Sequence, residues 1–301
     1  MVEIRTLDLE FVGATGVIAS FLAPVDGGFV LFDPGPASAV ATLEERVGEA
    51  GFALEALRAV FATHVHLDHA GGAGALARRT GCTVYAHPLG APHLLDPHRK
   101  LLPSAERLYR ERMVPLWGVT EAAPEGSVRA AADGERVTVD GLEVRAHHTP
   151  GHAAHHVAWQ IGDAVATGDV AGVRFPGATH VLPPMPPPDI DVEAWRRSLD
   201  VVRRLAPSRL LLTHYGAFDD APRHLDELED RLLRWTDTAR RVVAEGGDRA
   251  ALGAELLALD EREMEASRVP DGAIARYRRL CPMEENSAGL YRYCTQERQR
   301  P

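Results

Sequence analysis

Apolar positions change period along the chain, and each change marks out an element. Between residues 16 and 33, two β-type runs, GVIASFLA and GFVLFD, flank the turn-rich Pro24-Val25-Asp26-Gly27-Gly28, which predicts a pair of strands. A helix is expected over Ala39–Ala50, stopped near Gly51, and Arg58–Thr63 reads as a buried strand. A small-residue helix from Gly71 to Thr80 then leads through Gly81 into a strand at Thr83–Ala86. Strands resume at Glu135–Val139 and Leu142–His147 around Asp140-Gly141, and at His156–Ile161 and Ala164–Thr167 around Gly162-Asp163.

Beyond Asp191 the pattern turns helical. Val192, Trp195, Leu199, Val202 and Ala206 recur at three- and four-residue steps, as do Leu225, Leu228, Leu232, Trp235, Ala239 and Val242. One apolar strand, Arg209–Thr213, separates the two stripes, and further helices are expected over Asp248–Ser267 and on to residue 297. The second stripe is expected to pack on the body of the protein rather than against a coiled-coil partner. Two stretches break the rhythm. Pro88–Pro124, rich in leucine and proline, reads as a helical insertion, and Gly172–Pro188 as a proline-rich loop poor in backbone donors. Strands in two sets with helices between them predict an α/β sandwich, residues 1–216, followed by a helical C-terminal extension, residues 217–301.

Composition narrows the setting. With 45% hydrophobic and 25% charged residues the chain is an ordinary globular one. Its 33 basic residues against 43 acidic ones give a net charge of −10, which speaks against a nucleic-acid partner. Cys82, Cys281 and Cys294 form no CxxC pair or disulfide framework, which fits a reducing compartment. The opening MVEIRTLDLEF carries acids where a secretion signal needs a basic, then apolar, stretch. No run approaches the roughly 20 apolar residues that span a bilayer. The expectation is a cytoplasmic protein acting on a small molecule, away from membranes, with a homodimer compatible with the helical extension.

The chemistry concentrates in Thr63-His64-Val65-His66-Leu67-Asp68-His69. In an extended segment residues i and i+2 share a side, so His64 and His66 can converge on one ion. On a helix they would diverge by about 200°. The apolar strand before them and Gly71-Gly72 after them favour the extended form, followed by a turn that swings Asp68 and His69 toward a second position. Eight of the 14 histidines fall within 64–69 and 147–156, more than a polar loop explains. Imidazole with carboxylate suits zinc, and also iron or manganese.

The HxHxDH string at 64–69 resembles the signature of the metallo-β-lactamase superfamily, and its companions follow in order. Thr149-Pro150-Gly151-His152 resembles the second ligand motif, Thr167-Gly168-Asp169 the strand-end aspartate, Thr213-His214 the last ligand, and Leu31-Phe32-Asp33-Pro34-Gly35 the early strand turn whose aspartate supports the metal loop. The resemblance covers about residues 15–216. It implies an αβ/βα four-layer sandwich and two divalent metal ions, Zn2+ foremost with Fe or Mn as alternatives. One ion would be held by His64, His66 and His152, the other by Asp68, His69 and His214, with Asp169 between them. Such a set leaves coordination positions open, as catalysis requires.

Water shared by two divalent ions loses a proton near neutral pH and becomes a strong nucleophile. The same ions stabilise the developing oxyanion. Asp68 would orient that water or relay a proton. His148 and His156 flank the TPGH turn, where they either orient ligands or contact substrate, or simply end strands. His147 and His155 read as exposed, His180 as a surface histidine in the loop, and His87 as a group that can approach the mouth. Tyr215 either donates to an oxyanion or packs. The insertion, the proline-rich loop and the C-terminal helices are expected to wall the substrate pocket, with Met113, Trp117, Phe175 and Met185 as apolar lining.

The leading expectation is a metal-dependent hydrolase of an ester-like bond, a thioester as in glyoxalase II or a lactone as in quorum-quenching lactonases. The resemblance also implies that Asp169 speaks against antibiotic hydrolysis. The alternatives are a mononuclear-iron persulfide dioxygenase and a phosphodiesterase or nuclease. The segment NSAGLYRYCT, residues 286–295, is expected to form a packing or dimer helix.

Overall fold

The computed structural model describes residues 2–298. One sheet runs, in spatial order, β1 (Arg5–Asp8), β2 (Ala19–Val25), β3 (Gly28–Phe32), β4 (Leu57–Phe61), β5 (Thr83–Ala86) and β6 (Val128–Ala130). The other runs β12 (Gly216–Phe218), β11 (Arg209–Leu212), β10 (Ala164–Ala166), β9 (Val157–Ile161), β8 (Leu142–His148) and β7 (Arg136–Val139). Both sheets are mixed, with β3 to β6 parallel in the first and β10 parallel to β11 in the second.

Alternation along the strands explains the layers. Val30 and Phe32 of β3 face the second sheet, while Phe29 and Leu31 face helices on the outside. Phe32 stacks on Phe61 at 5.1 Å, and Phe61 meets Trp159 of β9 edge-on at 5.1 Å, closing the space between the sheets. Helices α1 (Val40–Glu49), α2 (Leu67–Ala70) and α3 (Ala73–Thr80) cover the first sheet. The stretch read as a helical insertion forms three short helices, α4 (Ala91–Leu95), α5 (Leu101–Tyr109) and α6 (Met113–Trp117).

The second sheet is covered by α7 (Val192–Leu205) and α8 (Ala221–Ala244). Asp191 caps α7 by accepting the Ala194 N–H at 2.9 Å. Every apolar position of the α8 stripe is buried within the chain, as the periodicity predicted. Helices α9 (Arg249–Ala266), α10 (Asp271–Leu280) and α11 (Met283–Arg298) complete the C-terminal region. Leu252, Leu256, Tyr277 and Leu290 from these helices share one core with Leu210 and Leu212 of β11. Among the described residues no helix is long and apolar enough to cross a membrane.

The strand and helix cores follow the hydrophobic pattern, and the departures lie at sheet edges. The edge strands β1, β6 and β12 were not anticipated, because three- or four-residue strands with few buried positions carry almost no alternation. His180, read as a surface residue, is fully buried: α8 and α9 cover its loop, and its ring lies between Asp260 (2.9 Å) and Arg231 (3.0 Å).

Candidate metal centre

The polar residues singled out in the sequence gather where strands end. Asp33 follows β3, His64 and His66 follow β4, His152 lies in the β8–β9 connection, Asp169 follows β10, and His214 follows β11. His66 precedes α2, and that single turn brings Asp68 and His69 round to the second position.

The ring nitrogens form two groups. His64 Nε2 and His66 Nδ1 are 2.9 Å apart, and His152 Nε2 lies 3.0 Å from His66 Nδ1. In the other group His69 Nε2 and His214 Nε2 are 3.1 Å apart, with Asp68 Oδ2 at 3.2 Å from His214 Nε2. Asp169 reaches both: Oδ2 is 3.4 Å from His152 Nε2 and Oδ1 is 3.4 Å from His69 Nε2. His64, His66, His152 and the trio Asp68, His69, His214 each present donor atoms within 4.8 Å of one another.

Hydrogen bonds on the far side of the rings fix their tautomers. His152 Nδ1 donates to the Pro184 carbonyl at 2.9 Å, His69 Nδ1 donates to Asp33 Oδ2 at 2.7 Å, and His214 Nδ1 faces the Val17 carbonyl at 3.3 Å. With Nδ1 engaged by these partners, each ring points Nε2 inward, where it can offer a lone pair to a metal ion. Two Nε2 atoms 3.1 Å apart, beside a buried Asp169 Oδ1 with no hydrogen-bond partner, make a point that favours a cation. The donor set therefore fits divalent metal ions, with imidazole and carboxylate ligands and a supporting bond behind each of these three rings.

The electrostatics agree. Burial, then the neighbouring imidazoles, holds His64 and His66 well below the usual histidine pKa, so both stay neutral and able to coordinate. Burial also opposes charge on His69, yet Asp169, Asp68 and Asp33 around it push its pKa well up, marking a point that favours positive charge. Burial raises Asp68, but His69 and His214 outweigh it and draw the carboxyl down to about 2.

Asp33 is the hub beneath the ligands. Its buried carboxylate accepts the Thr63 N–H, the Thr63 hydroxyl, the Thr213 hydroxyl and His69 Nδ1–H, each at 2.7 Å. It thereby ties the ends of β4 and β11 to α2. Gly168 leaves room for this arrangement, because a Cβ there would lie 2.3 Å from Thr63 Oγ1 and the backbone φ is +47°.

The remaining histidines divide. His156 is buried beside the ligands, stacked on His64 at 5.0 Å with Nδ1 on Thr149 Oγ1 at 2.9 Å. His148 instead turns to the Ala131 carbonyl at 2.9 Å and packs on His87 at 4.1 Å, outside the cavity lining. Tyr215 gives its hydroxyl to Asp8 Oδ2 at 3.2 Å and so packs rather than facing the ligands. His147 and His155 are buried, not exposed as read: β8 places His147 against Gln160 at 3.0 Å, and His155 lies at the cavity wall 5.7 Å from the His66 ring. Burial lowers the His155 pKa to about 3. His93 also lines the cavity. Its place in the leucine-rich insertion gave no sequence signal.

A cavity of about 970 Å³ opens over the centre, floored by His66, Asp68, His152, Asp169 and His214. Its walls come from the three expected segments: Leu101, Tyr109 and Trp117; Pro184 and Pro186–Pro188; and Leu280, Cys281 and Asn286. Of the apolar lining expected, only Trp117 faces it. Phe175 and Met185 are buried in the core shared with the C-terminal helices, and Met113 packs behind the first sheet.

Comparison with known proteins identifies the family and the fold. The metallo-β-lactamase superfamily profile matches residues 13–214. The metallo-β-lactamase fold-containing protein ST1585 of Sulfurisphaera tokodaii is 29% identical over 182 residues, 60% of this chain and 68% of that protein. Mycobacterial relatives are matched over 55% of their length. An atrochrysone carboxyl ACP thioesterase of Aspergillus fumigatus is 30% identical over 148 residues, 48% of this chain and 34% of that protein. In fold, the metallo-β-lactamase family protein TTHA1429 of Thermus thermophilus is similar at a TM-score of 0.71, with 20% identity, over 98% of this chain and 93% of that one. The chain, with two histidine and aspartate clusters at the strand ends that could hold metal ions, belongs to the metallo-β-lactamase superfamily, whose members are generally metal-dependent hydrolases.

Proposed function

We propose that this protein hydrolyses an ester-like bond of a small organic molecule, a thioester or a lactone, at a centre of two divalent metal ions. The observation that carries the reading is Asp169, whose two oxygens face the two ligand groups separately. When bound, divalent ions at such a centre acidify water and polarise the substrate carbonyl.

The chain's own residues do the rest. Asp68, part-exposed at the cavity floor, holds its carboxylate toward the reacting region and is placed to orient water and accept its proton. His64, His152 and His156 stay neutral and hold the floor rigid. The apolar wall of Leu101, Tyr109, Trp117 and Leu280 suits an organic acyl group. The relative named as a thioesterase supports ester-type chemistry, and a thioester within that class.

The test is elemental analysis of the purified protein coupled to a hydrolysis screen of thioesters, lactones and phosphodiesters. Two metal ions per chain with turnover of a thioester or lactone is the expected result. One iron per chain with oxygen consumption would overturn it.

A further inference from the structure

The mouth of the cavity differs in charge from the rest of the protein. Arg99, Lys100 and Arg107 from the insertion and Arg292 from α11 all line it and all are exposed. Lys100 is the single lysine of the chain. Among the described residues none of the four has a carboxylate oxygen within 4.0 Å. Elsewhere some arginines pair with carboxylates, as in Arg79–Glu44 at 2.8 Å, Arg203–Glu229 at 2.7 Å and Arg240–Glu297 at 2.8 Å, and others do not; what distinguishes the mouth is that four such cations line one opening.

Two acids besides the metal-centre carboxylates line the same cavity. Glu285 lies 3.8 Å from Arg112, and Asp189 acts on His93 against the opposing influence of Lys100 and Arg99. They leave the mouth with a surplus of positive charge in a protein of net charge −10. Gathering unpaired cations around a concave opening focuses a field that draws anions inward. The same cavity is lined by apolar Leu101, Trp117 and Leu280 and, at buried positions, by His152, Asp169 and His214. A volume of about 970 Å³ is at the upper end for small-molecule sites and leaves room for a substrate with two parts.

We propose that the substrate is an acyl thioester whose thiol arm carries several negative charges, phosphates or carboxylates, that bind Arg99, Lys100, Arg107 and Arg292. This rests on the ester-hydrolysis reading above. The acyl carbon sits at the floor. Water adds its oxygen to that carbon, the C–S bond breaks, and the products are a carboxylate and a thiol, with one proton released. The charged arm stays at the mouth throughout, so its contribution falls on binding and on association rate.

The experiment uses the metal-loaded full chain and two probes without a scissile bond, adenosine 3′,5′-bisphosphate for a phosphate arm and S-methylglutathione for a carboxylate arm. Calorimetric titration should show one of them binding, with affinity falling as salt is raised. The paired charge reversal Lys100→Glu with Arg292→Glu should weaken that probe by about tenfold or more. In turnover, the preference for the matching charged thioester over a neutral N-acetylcysteamine thioester should fall by a similar factor. These side chains are exposed, so circular dichroism should show the variant folded; Lys100→Gln alone gives a milder second point. Whichever probe binds identifies the arm. If neither binds, or if binding ignores both salt and charge reversal, the proposal is overturned. A protein that cleaves the neutral thioester yet ignores both probes keeps the hydrolase reading and loses this one. Charge-dependent probe binding without ester cleavage keeps only the anion-binding mouth and loses the hydrolase reading, and with it the thioester.

Discussion

Asn286 Oδ1 accepts the backbone N–H of Met185 at 2.8 Å, linking the last helix to the proline-rich loop across 101 residues. The carbonyl of the same peptide group, Pro184, is the one that orients His152 at 2.9 Å. Helix α11 comes close enough to do this because of Gly289, where a Cβ would lie 2.0 Å from the Met185 carbonyl oxygen. A segment outside the residues matched by the superfamily profile thus sets the orientation of a ligand within them.

Replacing Asn286 by Ala should therefore loosen His152 and lower metal affinity by about tenfold, the scale of losing a bond behind a ligand. Competition with a chelator measures this directly, without reference to turnover. Gly289→Ala should act in the same direction by pushing α11 off the loop. Chelator competition unchanged from the parent in both variants would show that the loop holds His152 unaided.

Asp33 should be the most costly residue to lose beneath the site. Asp33→Ala strands four buried donors at once, from Thr63, Thr213 and His69. Each unsatisfied buried polar group costs about 1–3 kcal/mol before relaxation, so a loss of roughly 3 kcal/mol or more is expected in the metal-free protein. Urea unfolding gives the number. A loss below about 1 kcal/mol would mean that water replaces the carboxylate, against its near-complete burial.

Glu285 makes stability depend on pH. Burial in the cavity wall, with Asp68 adding to it and Arg112 opposing, raises its carboxyl from 4.5 to about 7. Below about pH 4.5 folded and unfolded chains both hold this proton. As pH rises toward 7 only the folded chain keeps it, so this group's favourable contribution is lost through that window. At about 1.4 kcal/mol per unit, Glu285→Gln should be more stable than the parent by on the order of 2 kcal/mol above pH 8. Near pH 4 the two should be alike. Urea midpoints across that range decide it, and a difference that does not change with pH would refute the assignment.

How much of this was legible in the sequence follows contact distance. His64, His66, Asp68 and His69 converge because a strand end and one helical turn place them, and both are local patterns. His152, Asp169 and His214 carry no such local signal, and only the order of their motifs joined them to the set. Asn286 was out of reach, since its role exists only where α11 meets a loop 101 residues away. His180 and His155 were misjudged for one reason: a polar residue in a loop reads as exposed until the helices or cavity walls that cover it are placed. The short edge strands were missed because so few residues cannot display a period.

Asp169 offers the sharpest test of the paired centre. If its oxygens serve the two ligand groups separately, Asp169→Ala should weaken both ions and not one. Loss at one group alone would leave the other with its three ligands and full occupancy. The expected outcome is metal content falling well below two ions per chain, with hydrolysis lost in parallel. Asp169→Asn sharpens the comparison, because it keeps the volume but removes the charge that balances the ions. It should retain the fold, as circular dichroism would report, while lowering occupancy. Full metal content in both variants, or hydrolysis retained in Asp169→Ala, would show that the two groups do not share this carboxylate.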